Sequence, residues 1–210
     1  MNILLNNWYP VSIPIAVILW ALLIFSIIKL RGNRALAEKL CFYILGFVLI
    51  YKTFHYVIYC VLLKHSWNEQ IPAEISQLAY FLCPLAFFSR NKWLRDGGAF
   101  TGIIAGFAQL ASISIAPYRF AEAGICAFSF FESTLMHYCV FWGGMVQICC
   151  VERMELKNIW RNYLVFGAVL LWGILASYTW MFGTDAAHPH EPANIGFIIR
   201  CDYLPDAILD

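Results

Sequence analysis

Apolar residues in this chain come in long unbroken runs, with none of the period-two alternation of a half-buried strand. Six such runs lie at roughly 11–30, 40–63, 71–89, 99–117, 125–150 and 163–182. Each approaches the about 20 residues that carry a helix across a bilayer's hydrocarbon. Turn-forming residues separate them: Arg31-Gly32-Asn33, Asn91 through Gly97-Gly98, and Pro117-Tyr118, with Gly183 opening a C-terminal tail over 183–210. No connection is long enough to fold as a separate domain. The pattern predicts a single transmembrane domain over 1–210, an all-α polytopic membrane helical bundle of about six transmembrane helices.

The basic residues sort by connection. Lys29, Arg31, Arg34 and Lys39 surround the first, Arg90, Lys92 and Arg95 the third, and Arg153, Lys157 and Arg161 the fifth. The opposite side has Lys64, Arg119 and Arg200, and Lys52 falls inside a run. Ten against three, alternating with every crossing, places both termini outside the cytoplasm. The expected location is the plasma (cell inner) membrane, as an integral, multi-pass protein. The first seven residues carry no basic cluster and the first run lacks a small-residue cleavage pattern, so it reads as a retained helix. Trp8, Tyr9, Trp67, Trp93, Trp160 and Trp180 fall near run ends, where amphipathic rings favour the headgroup layer.

Composition narrows the function classes. Of the residues 61% are hydrophobic and 13% charged, against a usual half and a quarter, which excludes a soluble globular domain. Fourteen Lys and Arg against thirteen Asp and Glu leave a formal charge of +1, with no basic run to neutralise phosphates, so no nucleic-acid partner is expected. Of eight cysteines, Cys41, Cys60, Cys83, Cys126, Cys139, Cys149 and Cys150 lie in or beside apolar runs and only Cys201 in the tail. Without a CxxC pair they read as small hydrophobes.

The chemistry-bearing residues are those that enter the runs, because an ionisable side chain there costs several kcal/mol, of order 3, unless paired. They are Lys52 and His55 in the second run, Glu74 in the third, and Glu132 and His137 in the fifth. At about 1.5 Å per residue they lie from roughly 5 to 18 Å below the outer boundary, at depths one outward-facing cavity can span. The inner half reads as apolar. Lys52 and His55 are three apart and share a face. Glu132 and His137 are five apart and point to different helices. Lys52 and one protonated histidine balance Glu74 and Glu132, with Ser76, Gln77, Gln109, Ser112 and Ser114 as hydrogen-bonding neighbours. For any one of these residues a structural role, fixing helix register, is an equal alternative. Their confinement to one half of the bilayer favours a functional cavity lined by Lys52, His55, Glu132 and Gln77 as substrate-binding residues. No cofactor is expected. No metal is expected either: Asp185, His188, His190 and Glu191 in the tail match no zinc spacing and sit in a proline-broken segment suited to a lid.

These residues, in this order, resemble the YwaF-type integral membrane family, whose animal relatives include a transmembrane acyltransferase that moves acyl chains between phospholipids. The resemblance covers about 70–210. It rests on the third-run opening Ile71-Pro72-Ala73-Glu74-Ile75-Ser76, the small-residue run from Gly102 to Pro117, the aromatic lead Phe130-Phe131-Glu132-Ser133-Thr134-Leu135-Met136-His137, and Gly183 with the tail to Tyr203-Leu204-Pro205. It implies a cysteine nucleophile with a histidine base, and membrane lipids as partners. Here only the histidine carries over, as His137. Ala73 or Ser76 stands where the cysteine is expected and Glu74 where a histidine lies between them. Acyl chemistry then requires substitution: Ser76 as nucleophile, His137 as base, and Glu74 or Glu132 orienting the imidazole.

Three function classes remain open: a diverged lipid acyltransferase, a small-molecule or proton-coupled transporter or binding protein, and a non-catalytic membrane subunit. A polar path through the inner half favours the second and an exposed polar stripe on one helix the third.

Overall fold

The computed structural model describes residues 9–62, 72, 74–89, 91–115, 127–152 and 156–182. These form helices α1 (Tyr9–Leu30), α2 (Arg34–Val57), α3 (Ile75–Phe88), α4 (Lys92–Ile115), α5 (Ala127–Val146) and α6 (Ile159–Phe182). Helical turns of π type extend α2 over Ile58–Leu62 and α5 over Gln147–Val151, and a short 3-10 turn, Leu156–Asn158, leads into α6. No strand occurs among the described residues. The chain is therefore the all-α bundle its apolar runs predict.

Five of these helices are long and apolar enough to cross a membrane, whereas α3 is a shorter apolar helix of 14 residues. At about 1.5 Å per residue it covers roughly 21 Å, less than a hydrocarbon core of about 30 Å. The third run thus differs from its expected 71–89 extent. Glu74 is extended at φ −84° and ψ 149°, and its carbonyl accepts the first helical bond from Leu78 at 3.0 Å. The carboxyl so placed stands at the N-terminal, partially positive end of the helix instead of inside it.

The second correction concerns Asn91 through Gly98, expected as a turn and found within α4 from Lys92 onward. Its glycines act as points of close approach. A Cβ on Gly98 would fall 2.4 Å from that of Ala86, and one on Gly106 would fall 2.2 Å from that of Phe141. Gly98, Gly102 and Gly106 are spaced four apart on one face. That small-residue face brings α4 backbone to backbone with α3 and α5, the way membrane helices gain packing where lipid removes the hydrophobic drive. These two contacts are the most extensive in the bundle.

The helix starts follow local chemistry. Asn33 caps α2, its Oδ1 accepting from the Leu36 amide at 3.0 Å, and Arg34 pairs with Glu38 one turn on. The core gathers Leu23, Leu45, Val48, Cys83, Leu110, Met136, Val140, Phe141 and Val146, and α5 is the most enclosed of the long helices. Outside it, Val17, Ile18, Phe25, Phe42, Phe47, Ile50, Phe54, Leu164 and Leu171 are exposed. In water so continuous an apolar surface is an aggregation hazard, whereas acyl chains cover it at no cost. Trp93 and Trp160, near the starts of α4 and α6, are exposed. Cys41, Cys60, Cys83, Cys139 and Cys150 are buried free thiols, in keeping with packing roles.

Candidate functional site

The polar groups that enter the bundle assemble where α2, α3 and α5 meet. Lys52 on α2 is 7% exposed, and its Nζ donates to Glu132 Oε1 on α5 at 2.7 Å. The same ammonium lies 4.7 Å from the centre of the Tyr80 ring and 5.8 Å from that of Tyr51. A lysine cation is thus held between a carboxylate and two aromatic faces, the surroundings that offset its desolvation.

The Tyr80 ring, projecting from α3, connects that ion pair to the histidine. Its hydroxyl lies 2.6 Å from His137 Nδ1 and 3.2 Å from Nε2. His137 is 8% exposed, and its Nδ1 also lies 2.7 Å from the Ser133 carbonyl oxygen and 3.3 Å from Ser133 Oγ. A carbonyl can only accept, so that contact assigns the proton to Nδ1 and leaves the lone pair on Nε2, 3.2 Å from the Tyr80 hydroxyl. The Ser133 carbonyl, one turn earlier on the same helix, therefore fixes both tautomer and ring orientation.

A second couple stands at the start of α3, where Ser76 Oγ donates to Glu74 Oε2 at 3.2 Å. Ser76 and Tyr80 are four residues apart on one helix, so they occupy one face with Cβ atoms about 5–6 Å apart. The Ser76–Glu74 and Tyr80–His137 couples are consecutive on α3. Trp172 of α6 ties down the chain just before, its Nε1 donating to the Pro72 carbonyl at 2.9 Å.

Of the residues expected in the site, Lys52 and Glu132 meet directly, and Glu132 and His137 reach different helices as their spacing requires. His55 packs its ring beside those of Tyr51 and Tyr56, at 6.2 Å from each, and is half-buried, as is Gln77. Two geometric expectations differ. No hydrogen bond joins Ser76 to His137 among the described residues, since the serine faces Glu74. Neither carboxylate orients the imidazole: Glu74 holds Ser76 and Glu132 holds Lys52. The outer hydrogen-bonding set also divides, because Ser114 bonds back to the Leu110 carbonyl at 2.8 Å and the buried Gln109 Nε2 has no partner. Ala73 and the tail residues Asp185, His188, His190 and Glu191 lie outside the described residues.

Tyr80 is the member of this cluster that a reading centred on charged groups and histidines passes over. Its signal was available: a tyrosine in an apolar run must bury its hydroxyl against a partner. No group of three or more His, Cys, Asp or Glu able to hold a metal occurs among the described residues.

The half of the bundle where α4 begins and α5 ends, expected to be apolar, carries polar groups. Arg95 and Asp96 of α4 meet Gln147 and Glu152 at the end of α5, with Arg95 Nη1 donating to Glu152 Oε1 at 2.6 Å. The Asn91–Gly98 turn assignment hid them, because it placed Arg95 and Asp96 in solvent.

Among comparisons with known proteins, the profile of the TMEM164 family matches residues 5–205. No curated protein matches, and no solved structure does.

Proposed function

Because the chain belongs to the TMEM164 family of transmembrane proteins, we propose that it is a multi-pass membrane enzyme that transfers acyl chains between lipids, at the meeting of α2, α3 and α5. The observation that carries this reading is the pair of couples one turn apart on α3, Ser76–Glu74 and Tyr80–His137. One couple offers a hydroxyl beside a carboxylate, and the other a hydroxyl backed by a neutral imidazole. An acyl ester placed between them meets a nucleophile on one side and a proton donor on the other.

In this reading Ser76 Oγ attacks the ester carbonyl of the donor lipid and passes its proton to the Glu74 carboxylate. The bond from the acyl carbon to the lipid oxygen breaks, and that oxygen leaves with the Tyr80 proton, the Tyr80 phenolate left behind being held by its contact with His137 and by the Lys52 ammonium 4.7 Å from its ring centre. In the second half an acceptor lipid's hydroxyl gives its proton back to Tyr80 and attacks the Ser76 ester. The serine oxygen recovers its proton from Glu74, and every group returns to its starting state. Lys52 with Glu132, and His55 with Gln77, meet the polar headgroup. Ser76 replaces the cysteine that the sequence resemblance implies.

Intact-mass spectrometry of the protein purified in its lipids tests the covalent step. The expected result is an acyl-sized adduct that Ser76→Ala removes and His137→Ala alters in amount. An adduct unchanged in Ser76→Ala excludes this nucleophile.

A second reading, transport of a small solute or proton, is favoured by the buried Asp96 and Gln147 with the half-buried Arg95 and Glu152 where α4 begins and α5 ends. Against it stands the packed layer between the two polar regions, where Cys83 Sγ would lie 3.0 Å from a Cβ on Gly102 and Gly102 approaches the Val140 carbonyl. Solute flux in proteoliposomes that Asp96→Asn abolishes would establish it over the acyl-transfer reading.

A further inference from the structure

Where α4 begins and α5 ends, a small cavity is lined by Arg95, Asp96, Ala99, Gln147, Val151 and Glu152. It has room for about one water-sized guest. Three independent features mark it as a built site. Asp96 is only 7% exposed, lines the cavity, and has no hydrogen bond or ion pair with any described residue. Glu152 gives Oε1 to Arg95 at 2.6 Å, while its buried Oε2 has no partner. The wall carrying Gln147 and Glu152 is the π turn Gln147–Val151, closed by the Glu152 amide donating to the Gln147 carbonyl at 2.9 Å. Such an inserted residue widens a helix locally, and it recurs at functional sites.

The charges decide what fits. Inside the lining, the Arg95 guanidinium is matched by one carboxylate of Glu152, and the Asp96 carboxylate is left over. The oxygens of Asp96 and Glu152 Oε2, with the amide of Gln147, form a set of hard ligands around a water-sized space. Carbonyls at the C-terminal end of α5 add negative potential. Two further cations act on Asp96 from outside the lining. Lys92 lies one turn earlier on α4 and is exposed, and Arg161 comes from α6, its guanidinium 4.1 Å from the Trp93 ring centre. Together with Arg95 they outnumber the two carboxylates, so a guest of more than one positive charge is disfavoured and the affinity for a monovalent one is low.

We propose that this cavity is a binding site for a single monovalent cation of sodium size, held by Asp96 with Glu152 and Gln147. It is separate from the α2–α3–α5 cluster, and it stands whether or not that cluster transfers acyl chains.

The test uses the full chain in lipid nanodiscs. Thermal unfolding is followed in sodium, potassium and choline chloride at equal ionic strength, at several fixed pH values. The expected result is a saturable rise of the midpoint in sodium or potassium over choline. Asp96→Asn removes that rise, Lys92→Gln enlarges it, and His137→Ala leaves it unchanged. Because Asp96→Asn can disturb folding, sodium NMR linewidths are measured on the wild type itself, with broadening expected that added potassium reverses. Equal midpoints in all three salts with unbroadened sodium resonances overturn the proposal. So does a midpoint that follows pH while ignoring the cation, which would put a proton on Asp96 instead.

Discussion

Removing either partner of the Lys52–Glu132 ion pair strands the other charge inside the bundle, and the structure sets the size of the effect. At 2.7 Å and an effective dielectric of about 20, the attraction is about 6 kcal/mol before desolvation is subtracted. The side chains retain only 9% and 16% exposure, so solvent screens little of it. Breaking a pair of this kind by truncating one member costs about 3–5 kcal/mol, mostly through the unpaired charge left behind. Lys52→Met and Glu132→Leu are each expected to lose that amount. In the double variant two apolar side chains replace two charges, and the combined loss should fall short of the sum by at least about 2 kcal/mol. For a chain of this size, each single variant should lower the unfolding midpoint by roughly 6–20 °C. The assay is unfolding in detergent on wild type, both singles and the double. Additive losses would refute the reasoning, because they would mean that the two residues act independently.

Tyr80→Phe keeps the ring under Lys52 and removes the hydroxyl facing His137, so it should cost about 1–3 kcal/mol in stability and most of any acyl-transfer rate; unchanged kinetics would dismiss the tyrosine as a proton donor. Gly106→Leu forces side-chain atoms onto Phe141, where a Cβ alone already falls 2.2 Å from its neighbour. It should abolish a monodisperse peak in size-exclusion chromatography, whereas Gly32→Ala, with nothing within 4 Å, should leave it intact. Arg95→Ala leaves Glu152 without its partner and should destabilise the α4–α5 contact by about 3 kcal/mol, read as faster hydrogen exchange in the first turns of α4.

Run length was enough to read the bundle, since lipid demands long apolar helices and few sequences imitate them. The pairing inside it was partly legible. The five-residue spacing from Glu132 to His137 set their divergence, but which helix each would meet depends on packing that no spacing encodes. Two glycines misled the reading at α4. In soluble proteins Gly97-Gly98 signals a turn, whereas here the missing side chains let helices touch. That one difference hid Arg95 and Asp96 and made their end of the bundle seem apolar. At α3, Pro72 and an extended Glu74 shortened a run that composition alone extends to 71. Ser76 consequently sits beside the Glu74 carboxylate in the first turn and makes no hydrogen bond to His137 among the described residues.

The most direct test of the central claim is acyl exchange in proteoliposomes, with a deuterated acyl chain on a phospholipid donor and an unlabelled lysophospholipid acceptor. Wild type is expected to move the label onto the acceptor, and His137→Ala and Ser76→Ala to abolish the transfer while retaining the fold. Label that stays on the donor with wild type, or that moves equally well with His137→Ala, would contradict the account.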